Sequence, residues 1–287
     1  MADDDVVWLY KPSLALAIVG TVLYSISWVW LSYLTIFKYR AWFFICVVVG
    51  ALIEVVGYAI RCYSVQNQTQ VGPFATTLSL IVLAPLFVAA GNYLLIGRLI
   101  RAVLPPSHHT VLRVPARLLT RLFVACDVVS FLVQCSGSGV ASSSSWSGSA
   151  ADAGVGILIA GLVIQVVTFC AYGVILARFR SLVARLAVPG APEGWRWVLR
   201  AVYVSSALIL LRSVYRVVEF AEGVHGYAFT HEWMFWVFEA LPMIVAITVF
   251  CIWHPAKYLG RDGRRRHVDG QELEGGEQSS SDASRFK

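Results

Sequence analysis

Among the charged residues inside stretches that are otherwise apolar are Glu54, Arg61, Asp127, Arg212, Arg216, Glu219 and Glu239. Arg212, Arg216 and Glu219 share the segment WVLRAVYVSSALILLRSVYRVVEF, where helical offsets of four, three and seven bring them to one face. A charge at the centre of a spanning helix costs roughly 2.5–3.5 kcal/mol on insertion scales, so each must meet protein, water or a ligand. Glu54 shares a face with Arg61 at offset seven. The chemistry these groups offer is recognition: glutamates receive an ammonium headgroup, and arginines suit a phosphate or carboxylate. The same groups would equally serve as interhelical salt bridges that fix packing. With no nucleophile constellation and no metal or cofactor motif, the chain is not expected to be an enzyme.

Apolar helices must position these groups. Of 287 residues 58% are hydrophobic and 14% charged, with a mean hydropathy of +0.69, a balance that excludes a soluble domain of this length. A bilayer core of about 30 Å needs about 20 apolar residues, and seven stretches qualify. They run from Ser13 to Phe37, Ala41 to Cys62, Phe74 to Ile100, Leu122 to Ala141, Gly154 to Ala177, Trp197 to Phe220 and Trp233 to Trp253. The expected fold is an all-α, seven-transmembrane helix bundle.

Lys38 and Arg40, the stretch from Arg98 to Arg121, that from Arg178 to Arg196, and Lys257 to Arg266 place the basic residues in the odd-numbered connections and the tail. Because cytoplasmic loops are enriched in Lys and Arg, the N-terminus is expected outside and the C-terminus in the cytoplasm. Met1 to Tyr10 carries Asp3, Asp4 and Asp5 and reads as no cleavable signal. The organisation is then an extracellular segment over residues 1–12, a membrane domain over 13–256 and a disordered cytoplasmic tail over 257–287. Asn67, Gln68 and Thr69 form a glycosylation sequon in a loop that this topology puts outside.

At about 1.5 Å per residue, Glu54 lies about 20 Å in from the cytoplasmic side and Glu239 about 10 Å below the outer surface. With Arg61, Arg212, Arg216 and Glu219 they form an outer charged layer. Asp127 sits alone about one third of the way up from the cytoplasm, where it carries a proton, pairs with Arg121 or Arg98 through local water, or takes part in proton transfer. Gln134 and Gln165 are candidates for interhelical hydrogen bonds, and Pro85 and Pro242 for kinks that free backbone carbonyls. Cys62 and Cys135 could pair near the outer side, although inert thiols are the commoner outcome; His108 and His109 read as a solvated loop pair. Ser136 to Asp152, rich in Gly and Ser, reads as a mobile outer loop that buries almost nothing. The basic start of the tail, Arg264 to Arg266, faces anionic lipid or serves as ordinary anchoring.

No phosphate-binding G-x-x-x-x-G-K-[ST] occurs, and no nucleic-acid partner is expected. A seven-span receptor is the runner-up, but Gly97, Arg98 and Leu99 stand where an acidic-Arg-aromatic triplet would be needed. A retinal protein is excluded by the lack of lysine in span seven.

From Tyr10, Lys11 and Pro12 to His254 and Pro255, the chain resembles the fungal RTA-like, or lipid-translocating exporter, family. The resemblance rests on Glu54, Gly57, Tyr58 and Arg61; on Ala84, Pro85, Phe87, Ala89, Ala90, Tyr93, Gly97 and Arg98; and on DVVSFLVQCSGSG from Asp127. GLVIQ, LRSVYRVVEF with Gly223 and Gly226, His231 with Glu232, and ALPM from Ala240 follow in order, and Glu239 stands where the pattern has Asp. The resemblance implies a multi-pass protein of the plasma membrane, with some relatives in internal membranes. It implies a role in transbilayer movement of sphingoid bases or other toxic amphiphiles and in drug resistance, with porphyrin transport in one branch. A membrane lipid or amphiphilic small molecule is the expected partner.

Overall fold

The computed structural model describes residues 8, 10–104, 110–111, 114–143, 148–186, 194–223 and 226–259. Among them seven helical segments are long and apolar enough to cross a membrane. Helix α1 (Leu14–Ser32) starts at Ser13, whose Oγ accepts the Leu16 N–H at 3.4 Å, and it widens into a π turn over Tyr33–Lys38. Arg40, at φ 47°, and a single turn at Trp42–Phe44 lead into α2 (Ile45–Gln66). The 33-residue α3 (Val71–Val103) carries Pro85 inside it. A minimal antiparallel ribbon, β1 (Thr110–Val111) with β2 (Val114–Pro115), precedes α4 (Ala116–Ser143) and α5 (Ser149–Leu186). Helix α6 (Trp195–Ala221) is followed by Gly223 at φ 79°, a left-handed position that glycine fills without steric cost. After the short α7 (Tyr227–Thr230), the seventh span is composite: α8 (Glu232–Phe235), a π turn over Trp236–Ala240, α9 (Leu241–Ile252) and α10 (Pro255–Leu259).

Named contacts give the directions. α1 meets α2 at Thr21 with Cys62 and Tyr24 with Tyr58, an antiparallel register. It meets the seventh span in parallel, through Tyr24 with Ala240, Ser27 with Thr248 and Thr35 with His254. α3 is antiparallel to α6, with Ile81 beside Arg212 and Asn92 beside Ser205. α3 is also the central helix: 61% of its most apolar window is buried, against 28% for α1, α4 and α5. Those outer helices turn Ile26, Trp30, Leu132 and Val167 outward while polar side chains cluster within, the arrangement a lipid solvent favours.

The α4–α5 pair overturns one expectation. Most of the stretch from Ser136 to Asp152 is helical: α4 runs on to Ser143 and α5 begins at Ser149. A Cβ on Gly137 would lie 2.5 Å from the Leu158 nitrogen, and one on Gly154 2.5 Å from the Ala141 nitrogen. Small residues that composition alone assigns to a loop therefore let two backbones meet, which is how helices associate where lipid supplies no hydrophobic drive. At the other terminus, Lys257, Tyr258 and Leu259 continue in α10, so the helical part runs past residue 256. His108, His109, Arg264, Arg265 and Arg266 lie outside the described residues.

Candidate functional site

Pro85 has no N–H, so the carbonyl of Ile81 one turn earlier loses its partner within α3. Arg212 of α6 takes that place, its Nη2 donating to Ile81 O at 2.8 Å and to Glu239 Oε1 at 2.9 Å. Arg216, one turn on, donates through Nη1 to Glu219 Oε2 at 2.9 Å and to Glu239 Oε2 at 3.4 Å. Tyr215 donates to the other oxygen of Glu219 at 3.4 Å. Two arginines and two glutamates thus form a neutral, buried network across α3, α6 and the seventh span. Pro242 follows the π turn that carries Glu239, and the adjoining Ala240 carbonyl accepts from Tyr24 at 2.8 Å.

Glu54 is the remainder of this count. It is completely buried on α2, and neither carboxyl oxygen has a hydrogen-bond partner among the described residues. Arg212 and Glu239 are the charged groups whose fields reach it. As an anion this carboxyl needs a proton or a further cation, since an unpaired buried charge costs several kcal/mol. On the outward side of α2, Val55, Val56, Ala59, Ile60 and Tyr63 line an apolar groove with Pro73 and Thr76 of α3, about 540 Å³ in volume.

Arg61 does not pair with Glu54. Its Nη2 donates to Tyr10 Oη at 2.8 Å and lies 3.6 Å from Glu232 Oε1. The guanidinium carbon sits 4.2 Å from the Phe235 ring centre, 4.8 Å from that of Trp8 and 5.5 Å from that of Trp236. Glu232 also accepts from the Ser13 N–H and from Trp236 Nε1. Burial holds the Tyr10 phenol above its ordinary pKa against the pull of Arg61, so it remains a neutral acceptor. The segment before α1 is therefore fastened over the bundle end at Trp8 and Tyr10.

A second polar layer lies towards the opposite end. Asp127 Oδ2 accepts from Tyr93 Oη at 2.7 Å, and its Oδ1 has no partner among the described residues. Tyr172 donates to the Asn92 carbonyl at 3.1 Å, and Asn92 to Ser205 at 3.1 Å. Twelve residues of α3 separate Ile81 from Tyr93, which sets the layers about 18 Å apart along that helix. Gln134 Nε2 donates to Gln165 Oε1 at 3.0 Å, across the α4–α5 seam. Asn67 lies half-buried in the turn after α2 and donates to Tyr63 O. All six cysteines are free thiols, Cys62 beside Thr21 and Cys135 exposed.

The structure thus joins Arg212, Arg216, Glu219 and Glu239, sets Glu54 beside them, and leaves Arg61, Asp127 and the glutamine pair in separate sites. Glu232, Tyr10, Tyr93 and His254 entered the sequence reading only as carriers of the resemblance, with no role in the site. His254 accepts the Ala256 N–H at Nδ1, so its Nε2–H donates to Thr35 at 3.1 Å and ties the ends of α1 and the seventh span. Equal depth is the signal that pairs Tyr93 with Asp127; Glu232 is marked by its place one turn before Trp236.

A sequence profile described as "RTA1 like protein" matches residues 47–262. The chain is 35% identical over 211 residues to "Protein RTM1" of Saccharomyces cerevisiae, covering 73% of this chain and 66% of that one. It is 35% identical over 205 residues to "Protoporphyrin uptake protein 1" of the same organism, covering 71% and 65%. It is 27% identical over 271 residues to a Saccharomyces cerevisiae "Sphingoid long-chain base transporter RSB1", covering 81% and 70%. The match spans just under two thirds of the length of the first two relatives. No solved structure matches.

Proposed function

The chain belongs to the RTA1-like family of fungal membrane proteins, and from that premise we propose that it lets a cationic, lipid-like amphiphile cross the bilayer, with Glu54 receiving the headgroup. The observation that carries this reading is the Glu54 carboxyl itself, buried and without a hydrogen-bond partner among the described residues, beside a network already balanced in charge. An ammonium group supplies both the missing charge and the missing donors. Relatives whose names include sphingoid long-chain base transport and protoporphyrin uptake support amphiphilic cargo as a class. Outward movement of a cation against an inside-negative potential costs about 2.3 kcal/mol per 100 mV, which a sink outside or a coupled gradient has to supply.

In this reading the N-terminus faces outside, the basic end faces the cytoplasm with anionic lipid against the tail, and the protein resides in the plasma membrane. Asn67 is then exposed to glycosylation. The test is transbilayer movement of a fluorescent sphingoid base in liposomes containing the purified chain, with a fluorescent phospholipid as control. Base-selective movement that Glu54→Gln abolishes is expected. Folded protein that moves no base faster than empty liposomes would refute transport and favour a sensor.

A further inference from the structure

Asp127 is 1% exposed on α4, and no cation among the described residues pairs with it. Tyr93 and Asn92 face this region from α3, Cys126 from α4 itself, Tyr172 from α5 and Ser205 from α6. No described Lys, Arg or His makes an ion pair with Asp127, in contrast to the network around Glu239. The carboxyl is also asymmetric: Oδ2 is held by the Tyr93 hydroxyl at 2.7 Å, whereas Oδ1 is buried and unbonded. Tyr93 is itself completely buried on the central helix, so this bond joins α3 to α4 at one point.

We propose that Asp127 is a proton-binding site through which the chain couples amphiphile movement to a proton gradient. The carboxylate takes up one proton on Oδ1 and becomes a neutral carboxylic acid, while Oδ2 continues to accept from Tyr93. Release of the same proton restores the anion. Because no cation among the described residues compensates the charge, each exchange changes the net charge of the bundle interior by one. Such a change alters how strongly α4 is held against α3 at this bond, which is how protonation biases two states of a carrier.

This inference rests on the transport reading, and two readouts keep the two apart. The first is infrared difference spectroscopy of the purified, amphiphile-free chain over a pH titration across the physiological range. A buried carboxyl C=O band that titrates, disappears in Asp127→Asn, persists in Glu54→Gln and shifts in Tyr93→Phe is expected. A spectrum with no titrating band that depends on Asp127 would overturn the site, and Tyr93→Phe supplies this test if Asp127→Asn does not fold. The second is movement of a fluorescent long-chain amine in liposomes with and without a pH gradient. A gradient-dependent rate in the native chain that Asp127→Asn loses is expected. Movement indifferent to the gradient would overturn coupling, and no movement at all with the band present would overturn coupling together with transport.

Discussion

Along α3, Ile81 and Tyr93 mark two layers that bury carboxyl groups under different terms. Near Ile81, Glu239 and Glu219 are matched one for one by Arg212 and Arg216, and even the carbonyl that Pro85 strands is used. Near Tyr93, Asp127 has, among the described residues, a single hydroxyl donor and no cation. Glu54 stands beside the first layer but, among the described residues, has fewer partners than Asp127, since neither of its oxygens is hydrogen-bonded. The comparison separates charges that hold the bundle together from charges kept for something that arrives. Removing one member of a matched buried pair strands its partner, whereas neutralising an unmatched carboxyl removes a cost.

The sharpest way to break this comparison is Glu239→Gln, which strands Arg212 and weakens the support of Arg216. It is expected to destabilise the chain by about 3–5 kcal/mol, read as a large fall in melting temperature of the detergent-purified protein. Tyr93→Phe removes the one donor to Asp127 and is expected to cost about 1 kcal/mol by the same measurement. A double-mutant cycle of Gln134→Leu and Gln165→Leu should give a coupling near 0.6 kcal/mol, the average for interhelical hydrogen bonds in a membrane protein. Glu54→Gln should change stability least, by no more than about 0.5 kcal/mol, because no native hydrogen bond is lost. Its effect should appear in amphiphile binding and movement.

Much of the frame was legible in the sequence. Hydropathy located the seven spans because a lipid solvent leaves a spanning helix few other compositions. Offsets along one helix correctly grouped Arg212, Arg216 and Glu219, since side chains three and four apart share a face. The same rule suggested Glu54 with Arg61, yet Arg61 turns to Tyr10 and Glu232 because partners on other elements outcompete a shared face. Gly137 read as part of an outer loop because its role exists only between two backbones, which one-dimensional composition does not contain. The hydroxyl on Asp127 was missed for a related reason: a search for counter-charges passes over tyrosine.

The most direct test of this division is thermal unfolding of the native chain, Glu54→Gln and Glu239→Gln, each with and without a saturating long-chain amine. Ligand that binds only the folded state raises its melting temperature. The account predicts that Glu54→Gln melts with the native chain in the absence of amine, that only the native chain gains from the amine among these two, and that Glu239→Gln melts far lower throughout. Unfolding of Glu54→Gln at the temperature of Glu239→Gln, or an equal gain from the amine in Glu54→Gln and the native chain, would contradict it.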